Sequence, residues 1–343
     1  MNVTWIVVVI TVAMALFFDL INGFHDSANS IATVVSTRVL SPRFAVLWAA
    51  FFNFIAMFLF QPRVAETVSK IIYIQPGDPA FIYVVLSGLV GAILWDLLTW
   101  WLGLPTSSSH ALIGGFAGAG LAFRGTKVIR WEKIWTTVQF IPLSPLLGLL
   151  LGFVIMIAVY WIFRRQRPYD VDKIFRKGQL FSAALYSLGH GGNDAQKTMG
   201  LIVALLVAAG IVHADTRLSL FNSQTAWIIL SCQTAMALGT ALGGWRIVKT
   251  MGMKLTQLKP VHGFCAETSG ALTIFLATHM GIPVSTTHTI AGAIVGVGST
   301  THASRIKWSV AMRIVISWLI TIPFAGLSAA LCFWVIQAFH GAF

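Results

Sequence analysis

The sequence GLPTSSSHALIGGFAGAG, residues Gly103–Gly120, recurs without gaps as GIPVSTTHTIAGAIVGVG at Gly281–Gly298. The two segments share a proline, a histidine and several glycines in register, and a run of hydroxyl residues follows the proline in both. A general bias toward hydrophobic residues does not place these polar and small residues at matching positions. The chain therefore contains an internal repeat, and we expect its fold to consist of two related halves.

The rest of the 343-residue chain has the composition of a membrane protein. Hydrophobic residues make up 57% of it and charged residues only 10%, whereas soluble domains carry about 25% charged residues. Apolar segments of about 20 residues, long enough to cross a bilayer, recur along its length. These features exclude a soluble globular protein. They predict an all-α polytopic membrane protein, in contact with lipid, with roughly ten to twelve membrane segments.

The net charge of +12 comes largely from basic residues in short loops between the apolar segments. That distribution matches the positive-inside rule, so no nucleic-acid partner is predicted. We interpret residues 164–178, which are strongly basic, as a cytoplasmic linker between an N-terminal repeat (residues 1–163) and a C-terminal repeat (residues 179–343). The three cysteines lie far apart in apolar segments, so the sequence predicts neither a disulfide framework nor a cysteine metal site.

A second pair of motifs, GFHDSAN at Gly23–Asn29 and GGNDAQK at Gly191–Lys197, places glycine near aspartate inside apolar sequence. Charge and broken helix are costly in hydrocarbon, so each motif is a candidate functional site. The sequence predicts a helix break at Asn22–Gly23. It also predicts a re-entrant hairpin at each proline-hydroxyl segment, because lipid cannot satisfy the freed backbone groups there. Two halves with broken helices are typical of secondary transporters, which bind substrate near the midplane between the repeats.

The hydroxyl runs form the candidate anion site. Each is expected in the first turn of a short helix, where unpaired N–H groups and the helix dipole attract anions. N-capping alone would explain a single run, but its duplication favours a ligand. Two such termini facing each other would hold a tetrahedral oxyanion through six residues: Ser107, Ser108, Ser109, Ser285, Thr286 and Thr287. Asn29 and Lys197 are further candidate anion ligands.

Asp26 and Asp194 would repel such an anion unless a cation neutralises them. We therefore predict a coupling cation at these two aspartates (a proton, a sodium ion or a divalent metal) that binds together with the substrate. His25, Asn193 and Glu267 are the other candidate coupling-ion residues. No organic cofactor is predicted.

At these motifs the chain resembles the inorganic phosphate transporter (PiT) family, and the resemblance extends over nearly its full length. The blocks His262–Glu267 and Gly243–Arg246 also look like sequence of this family. The resemblance implies two inverted repeats, two re-entrant hairpins, an oxyanion site built by both halves, and a homodimer. It implies transport of phosphate and no enzymatic activity.

Two positions depart from the pattern of many sodium-coupled members, which carry asparagine where this chain has His25 and Lys197. Both features resemble the bacterial low-affinity branch. That likeness implies symport of phosphate, or of a metal–phosphate complex, with protons across the inner membrane. Our hypothesis is that Lys197 places a fixed positive charge where sodium-coupled relatives would bind an ion, which reduces the need for sodium.

Four alternatives remain open from the sequence. One is a passive channel, although the acidic residues and broken helices within apolar sequence favour ion-coupled alternating access instead. A sodium-coupled phosphate symporter and a permease for sulfate or another tetrahedral oxyanion fit the same donors, although phosphate at neutral pH, unlike sulfate, can keep a proton to donate to Asp26 or Asp194. An intramembrane hydrolase using Ser109 and His110 is the remote alternative. Adjacent residues in one helical turn are poorly placed for proton transfer between them, and no HExxH spacing occurs.

Overall fold

The computed structural model describes residues 3–73, 78, 80–213, 215–300 and 306–340, and the regular structure in these ranges is helical apart from one isolated β-bridge between Ile72 and Ile129. The described helices are, in chain order, α1 (Val3–Ser36), α2 (Pro42–Ile55), α3 (Arg63–Val68), α4 (Ala80–Leu102), α5 (Ser108–Arg124), α6 (Trp131–Phe163), α7 (Pro168–Ala208), α8 (Ala226–Leu242), α9 (Trp245–Lys249), α10 (Pro260–His279), α11 (Thr286–Ser299) and α12 (Trp308–His340). The all-α prediction is confirmed.

The burial pattern of this protein is the reverse of that in a soluble protein. Large apolar side chains such as Phe44 (68% exposed) and Trp161 (66% exposed) cover the outer surface. Charged side chains such as Asp194 and Lys197 are buried in the interior. Because water would favour the opposite arrangement, the outer surface is suited to lipid.

Among the described residues, four helices are by themselves long and apolar enough to cross a membrane, namely α1, α4, α6 and α12. The bent pair of α8 and the segment that begins with α9 forms a fifth span if it counts as one. The shorter helices α5 and α11 have 17 and 14 residues, as expected of the second arms of re-entrant hairpins. Polar residues along α7 lower its hydropathy; those from Gln179 to Thr198 are buried, whereas Lys173, Arg176 and Lys177 near its start are exposed. How many segments cross the bilayer stays a prediction.

The helices α1–α6 correspond in order and approximate length to α7–α12, and equivalent hydrogen bonds tie each half to the other. In both halves an arginine and a threonine donate to backbone carbonyls around the start of the opposite proline-hydroxyl segment. From the N-terminal half, Arg63 donates to His279 (2.7 Å) and Thr67 to Gly281 (2.7 Å). From the C-terminal half, Arg246 donates to Trp101 (2.6 Å) and Thr250 to Gly103 (2.8 Å). Gly103 and Gly281 have φ values of +69° and +70°, which glycine adopts without steric cost.

The halves also exchange packing partners, since α5 packs on α12 and α11 packs on α6. Glycines make these contacts close. A Cβ atom at Gly118 would overlap the backbone of Gly326, and one at Gly296 would overlap the backbone of Leu149. The two hairpin helices are thus held by small-residue contacts of the kind that membrane helices use.

The first helices of the two halves, α1 and α7, lie side by side and run antiparallel. At the middle of α1, Asp19 accepts a hydrogen bond from Thr198 in the last third of α7 (2.6 Å). Near the end of α1, Thr37 donates to Gln179 near the start of α7 (2.8 Å). Antiparallel first helices are what an inverted relation between the halves requires.

The chain does not break where the sequence led us to expect. Helix α1 runs without interruption through Asn22–Gly23, and Gly23 instead lets α1 approach the backbone of Met236 on α8. Asp19, Asn29 and Thr33 of the continuous α1 hydrogen-bond to side chains on other helices. The sharp bend lies at Gly243, where α8 and the segment that begins with α9 meet at 57°.

Most of the predicted linker belongs to a helix. Pro168 occupies the first turn of α7, a position that suits its fixed φ. Residues 168–178 therefore extend α7, and residues 164–167 make the connection from α6. Arg176 secures this end of α7 by donating to the backbone carbonyl of Arg38 (3.0 Å).

Candidate functional site

The two proline-hydroxyl segments meet in the interior, where the rings of His110 and His288 lie 4.8 Å apart. The Oγ atoms of Ser107 and Ser285 accept hydrogen bonds from the backbone N–H groups of His110 and His288, each at 3.2 Å. These two serines are N-caps, as the N-capping alternative anticipated. Helices α5 and α11 then begin at Ser108 and Thr286.

The motifs of α1 and α7 reach the hairpin of the opposite half. Asn29 on α1 donates to the hydroxyl of Thr287 (2.8 Å) and more weakly to that of Thr286 (3.4 Å). Lys197 on α7, at the position that corresponds to Asn29, donates to the hydroxyl of Ser109. The structure thus brings together the hydroxyl residues, Asn29 and Lys197 that the sequence suggested as anion ligands.

The two aspartates of the motifs also come together. Ligand atoms of Asp26, His190 and Asp194 all lie within 4.8 Å of one another, and the three side chains are buried. We call these three residues the central cluster. His25 lies beside the cluster, with its Nδ1 2.7 Å from Asp26 Oδ1. Two carboxylates and one imidazole are a ligand set that suits a divalent cation.

Sequence reasoning missed His190. A signal was present, because His190 precedes Asp194 by one helical turn and side chains four residues apart share a helix face. Its Nε2 lies 3.3 Å from Asp194 Oδ2, and its Nδ1 lies 3.3 Å from Asn53 Oδ1 on α2.

Lys197 is 1% exposed and its ammonium group is surrounded by oxygen atoms. Its Nζ lies 2.5 Å from Asp194 Oδ1 and 2.8 Å from the carbonyl oxygen of Val284, and it also donates to the Ser109 hydroxyl. A carboxylate, a carbonyl and a hydroxyl are the ligand types that hard metal cations take. The lysine therefore occupies an environment that would otherwise suit a bound cation.

Two predicted coupling-ion residues lie outside the central cluster. The Glu267 carboxylate accepts hydrogen bonds from Thr33 (2.5 Å), Gln179 (2.9 Å) and Ser182 (2.5 Å). Thr33 follows Asp26 by seven residues on α1, a rise of about 10 Å. Asn193 donates to the hydroxyl of Thr278 (2.8 Å) and so attaches α7 to α10.

The interior contains more carboxyl groups than lysine or arginine side chains. Among the described residues, the buried carboxyl side chains are Asp19, Asp26, Asp96, Asp194 and Glu267, whereas Lys197 is the one buried lysine or arginine. Neither carboxyl oxygen of Asp96 on α4 has a hydrogen-bond partner within the described part of the chain. Buried carboxylates without a compensating charge are unfavourable, so protons or bound cations must balance this excess.

The site is closed to both aqueous sides. Asp26, Ser109 and Lys197 are at most 2% exposed, and Asp194 is fully buried. A substrate would therefore enter or leave only when the two halves move apart. Such gated access to a buried site between repeats is characteristic of secondary transporters.

The structure does not show the Ser109–His110 pair on which the hydrolase alternative depends. Ser109 accepts a hydrogen bond from Lys197. Among the described residues, the two ring nitrogens of His110 have no hydrogen-bond partner, and Ser109 is therefore not bonded to that ring. The repeated halves, their paired hairpin termini and the buried charges together define a membrane transport protein.

The comparisons with known proteins identify the family. The sequence profile of the phosphate transporter family matches residues 22–329, and this chain belongs to that family. It is 53% identical over 324 residues to the probable low-affinity inorganic phosphate transporter of Rhizobium meliloti (strain 1021), covering 94% of each chain. Identity to the protein of the same description in Bacillus subtilis (strain 168) is 40%, over 98% of this chain and 99% of that one.

A solved structure described as "The sodium-dependent phosphate transporter" has the same fold. Its TM-score with this protein is 0.88 at 25% identity, and the match covers 97% of this chain and 99% of the other. The predicted family, the helical membrane fold and the assignment as a transporter with no enzymatic role are confirmed. The protein is a multi-pass membrane transporter of phosphate.

Proposed function

We propose that this protein is a secondary active symporter that carries inorganic phosphate across the bacterial inner membrane together with protons. Phosphate would bind between the two halves, near the midplane, at Ser108, Ser109, Thr286, Thr287 and Asn29. Hydroxyls at helix N-termini supply donors there from both halves. Ser107 and Ser285 would act indirectly, as caps that hold the two termini in shape.

The observation that carries the choice of coupling ion is the position of Lys197. Its ammonium group already fills a cage of carboxylate, carbonyl and hydroxyl oxygens, so a sodium ion is not needed there to balance Asp194. The remaining buried carboxyl groups can be neutralised by protons. Sodium coupling is the second candidate, favoured by the fold that this chain shares with a sodium-dependent phosphate transporter.

The substrate in this proposal is phosphate alone or a metal–phosphate complex. Asp26, His190 and Asp194 offer ligands that a divalent metal accepts, and such a metal would bridge the cluster to the phosphate. A carboxylate in the site also favours phosphate over sulfate, because hydrogen phosphate can donate its proton to it. The likeness to the family further suggests a homodimer.

The proposal is tested by uptake of labelled phosphate into proteoliposomes, with a pH gradient or a sodium gradient imposed separately. We expect the pH gradient alone to concentrate phosphate inside and an uncoupler to abolish this. Unlabelled phosphate should compete and sulfate should not. Strict dependence on sodium, with no response to the pH gradient, would refute proton coupling. Repeating the assay with Mg²⁺ and with a chelator tests the metal–phosphate form.

A further inference from the structure

A buried carboxyl group outside the central cluster is left unused by the transport site described above. Asp19 lies on α1, is fully buried, and accepts a hydrogen bond from the Thr198 hydroxyl at its Oδ1 (2.6 Å). Its Oδ2 has no hydrogen-bond partner among the described residues, although the Cys232 thiol of α8 lies beside the carboxyl group.

Glu267 provides an internal comparison, because three hydroxyl or amide groups donate to it, whereas Asp19 has one hydroxyl donor, Thr198, and the Cys232 thiol. A thiol is a weak donor, so a carboxylate at Asp19 would leave much of its desolvation cost uncompensated. The charged groups that face Asp19 come from α7 and are Asp194 and Lys197, which form an ion pair with each other. The neutral acid therefore fits the Asp19 environment.

Asp19 is also placed in line with the transport site. Asp19, Asp26 and Thr33 recur every seven residues on α1, so they share one helix face at intervals of about 10 Å. The end of α1 near Thr33 lies beside the basic start of α7. By the positive-inside rule that end faces the cytoplasm, and Asp19 lies on the outer side of the central cluster.

The other half has no such acid. Alignment of the two aspartate motifs places Ser187 opposite Asp19, and the Ser187 hydroxyl donates to the backbone carbonyl of Ala183 (2.8 Å). We propose that Asp19 is a proton-binding residue of the transport cycle, taking a proton from the outer aqueous phase and releasing it to the cytoplasm as phosphate moves inward. This proposal rests on the proton-coupled function proposed above.

The test is Asp19→Asn in proteoliposomes, because the amide keeps an oxygen for Thr198 but cannot carry the proton. We expect uptake driven by a pH gradient to fall at least about tenfold, the scale of a lost coupling between two ligands. Exchange of internal for external labelled phosphate at equal pH requires no net proton movement, and we expect it to stay within about twofold of the wild-type rate. Asp19→Glu should restore the driven uptake, and Ser187→Ala, at the matching position, should leave both assays unchanged.

Two results would overturn the role of Asp19. One is pH-driven accumulation by Asp19→Asn at the wild-type level. The other is loss of exchange together with driven uptake, since Asp19 would then serve folding or phosphate binding. Absence of pH-driven uptake by the wild-type protein would instead count against the proposed function itself.

Discussion

Replacing Lys197 by asparagine tests how this protein balances the buried charge of Asp194. Lys197 is 1% exposed and lies 2.5 Å from the carboxylate of Asp194. Removing one partner of a buried ion pair leaves an uncompensated charge and typically costs about 3–5 kcal/mol. We therefore expect Lys197→Asn to lower the free energy of unfolding by about that amount in buffer without sodium.

Sodium should recover part of this loss. In the variant, the space left by the ammonium group is lined by the Asp194 carboxylate, the Val284 carbonyl and the Ser109 hydroxyl. The asparagine side chain adds an amide oxygen, so this space offers oxygen ligands to a cation. A ligand present at 100 times its dissociation constant adds about 2.7 kcal/mol of stability. The thermal unfolding of the variant should depend on sodium, whereas that of the wild-type protein should not.

The assay is thermal unfolding of purified protein in sodium chloride and in choline chloride, followed by uptake under each ion gradient. Lys197→Met is the matched control, because it removes the charge without supplying an oxygen and should lose stability equally in both salts. The double variant with Asp194→Asn removes both charges and should be more stable than Lys197→Asn alone in choline. Identical unfolding of Lys197→Asn in the two salts would refute the view that the lysine takes the place of a cation.

Further predictions concern the frame and the anion site. Thr287→Val removes a hydroxyl near the proposed phosphate, and since a hydrogen bond to a charged group is worth about 1.5–3 kcal/mol, calorimetric titration should show phosphate binding at least tenfold weaker. Ser285→Ala should instead cost about 1 kcal/mol of stability as a lost N-cap, with a smaller change in phosphate affinity than Thr287→Val causes. Glu267→Gln places an amide nitrogen among three donors and should destabilise the protein by about 2 kcal/mol in thermal unfolding; an unchanged melting temperature would contradict the hydrogen bonds described here. Arg63→Ala and Arg246→Ala should each cost about 0.5–1 kcal/mol, the scale of a cation at a helix C-terminus, and unequal losses would argue against equivalent halves.

The sequence predicted the parts of the site that depend on motif and repeat. Two hydroxyl runs after prolines, each at the start of a short helix, could be recognised because N-caps and helix termini are local features. The pairing of Asp26 with Asp194 followed from their equivalent positions in the repeat. These residues meet in the structure as the repeat suggested.

The parts that sequence could not supply depend on which helix faces meet. The break expected at Asn22–Gly23 is absent, and Gly23 instead lets α8 approach α1, a contact that cannot be read from one helix. The proposal for Asp19 depends on its neighbours Thr198 and Cys232, which lie on other helices and are far away in the sequence. Residues from distant parts of the chain determine whether a buried carboxyl group forms an ion pair, accepts hydrogen bonds or favours the protonated form.

The helices of the two halves and the contacts that join them, which we call the frame, are nearly symmetric, whereas the buried charged residues are not. Equivalent arginines, threonines and glycines hold the two halves together in the same way. At the site, however, Asn29 reaches one hairpin as a neutral donor and Lys197 reaches the other as a cation. A symmetric frame allows the two halves to exchange conformations at similar cost, so the frame itself need not favour either side. The unequal charges on α1 and α7 are then the features that can make the energy of the site depend on which ion is bound.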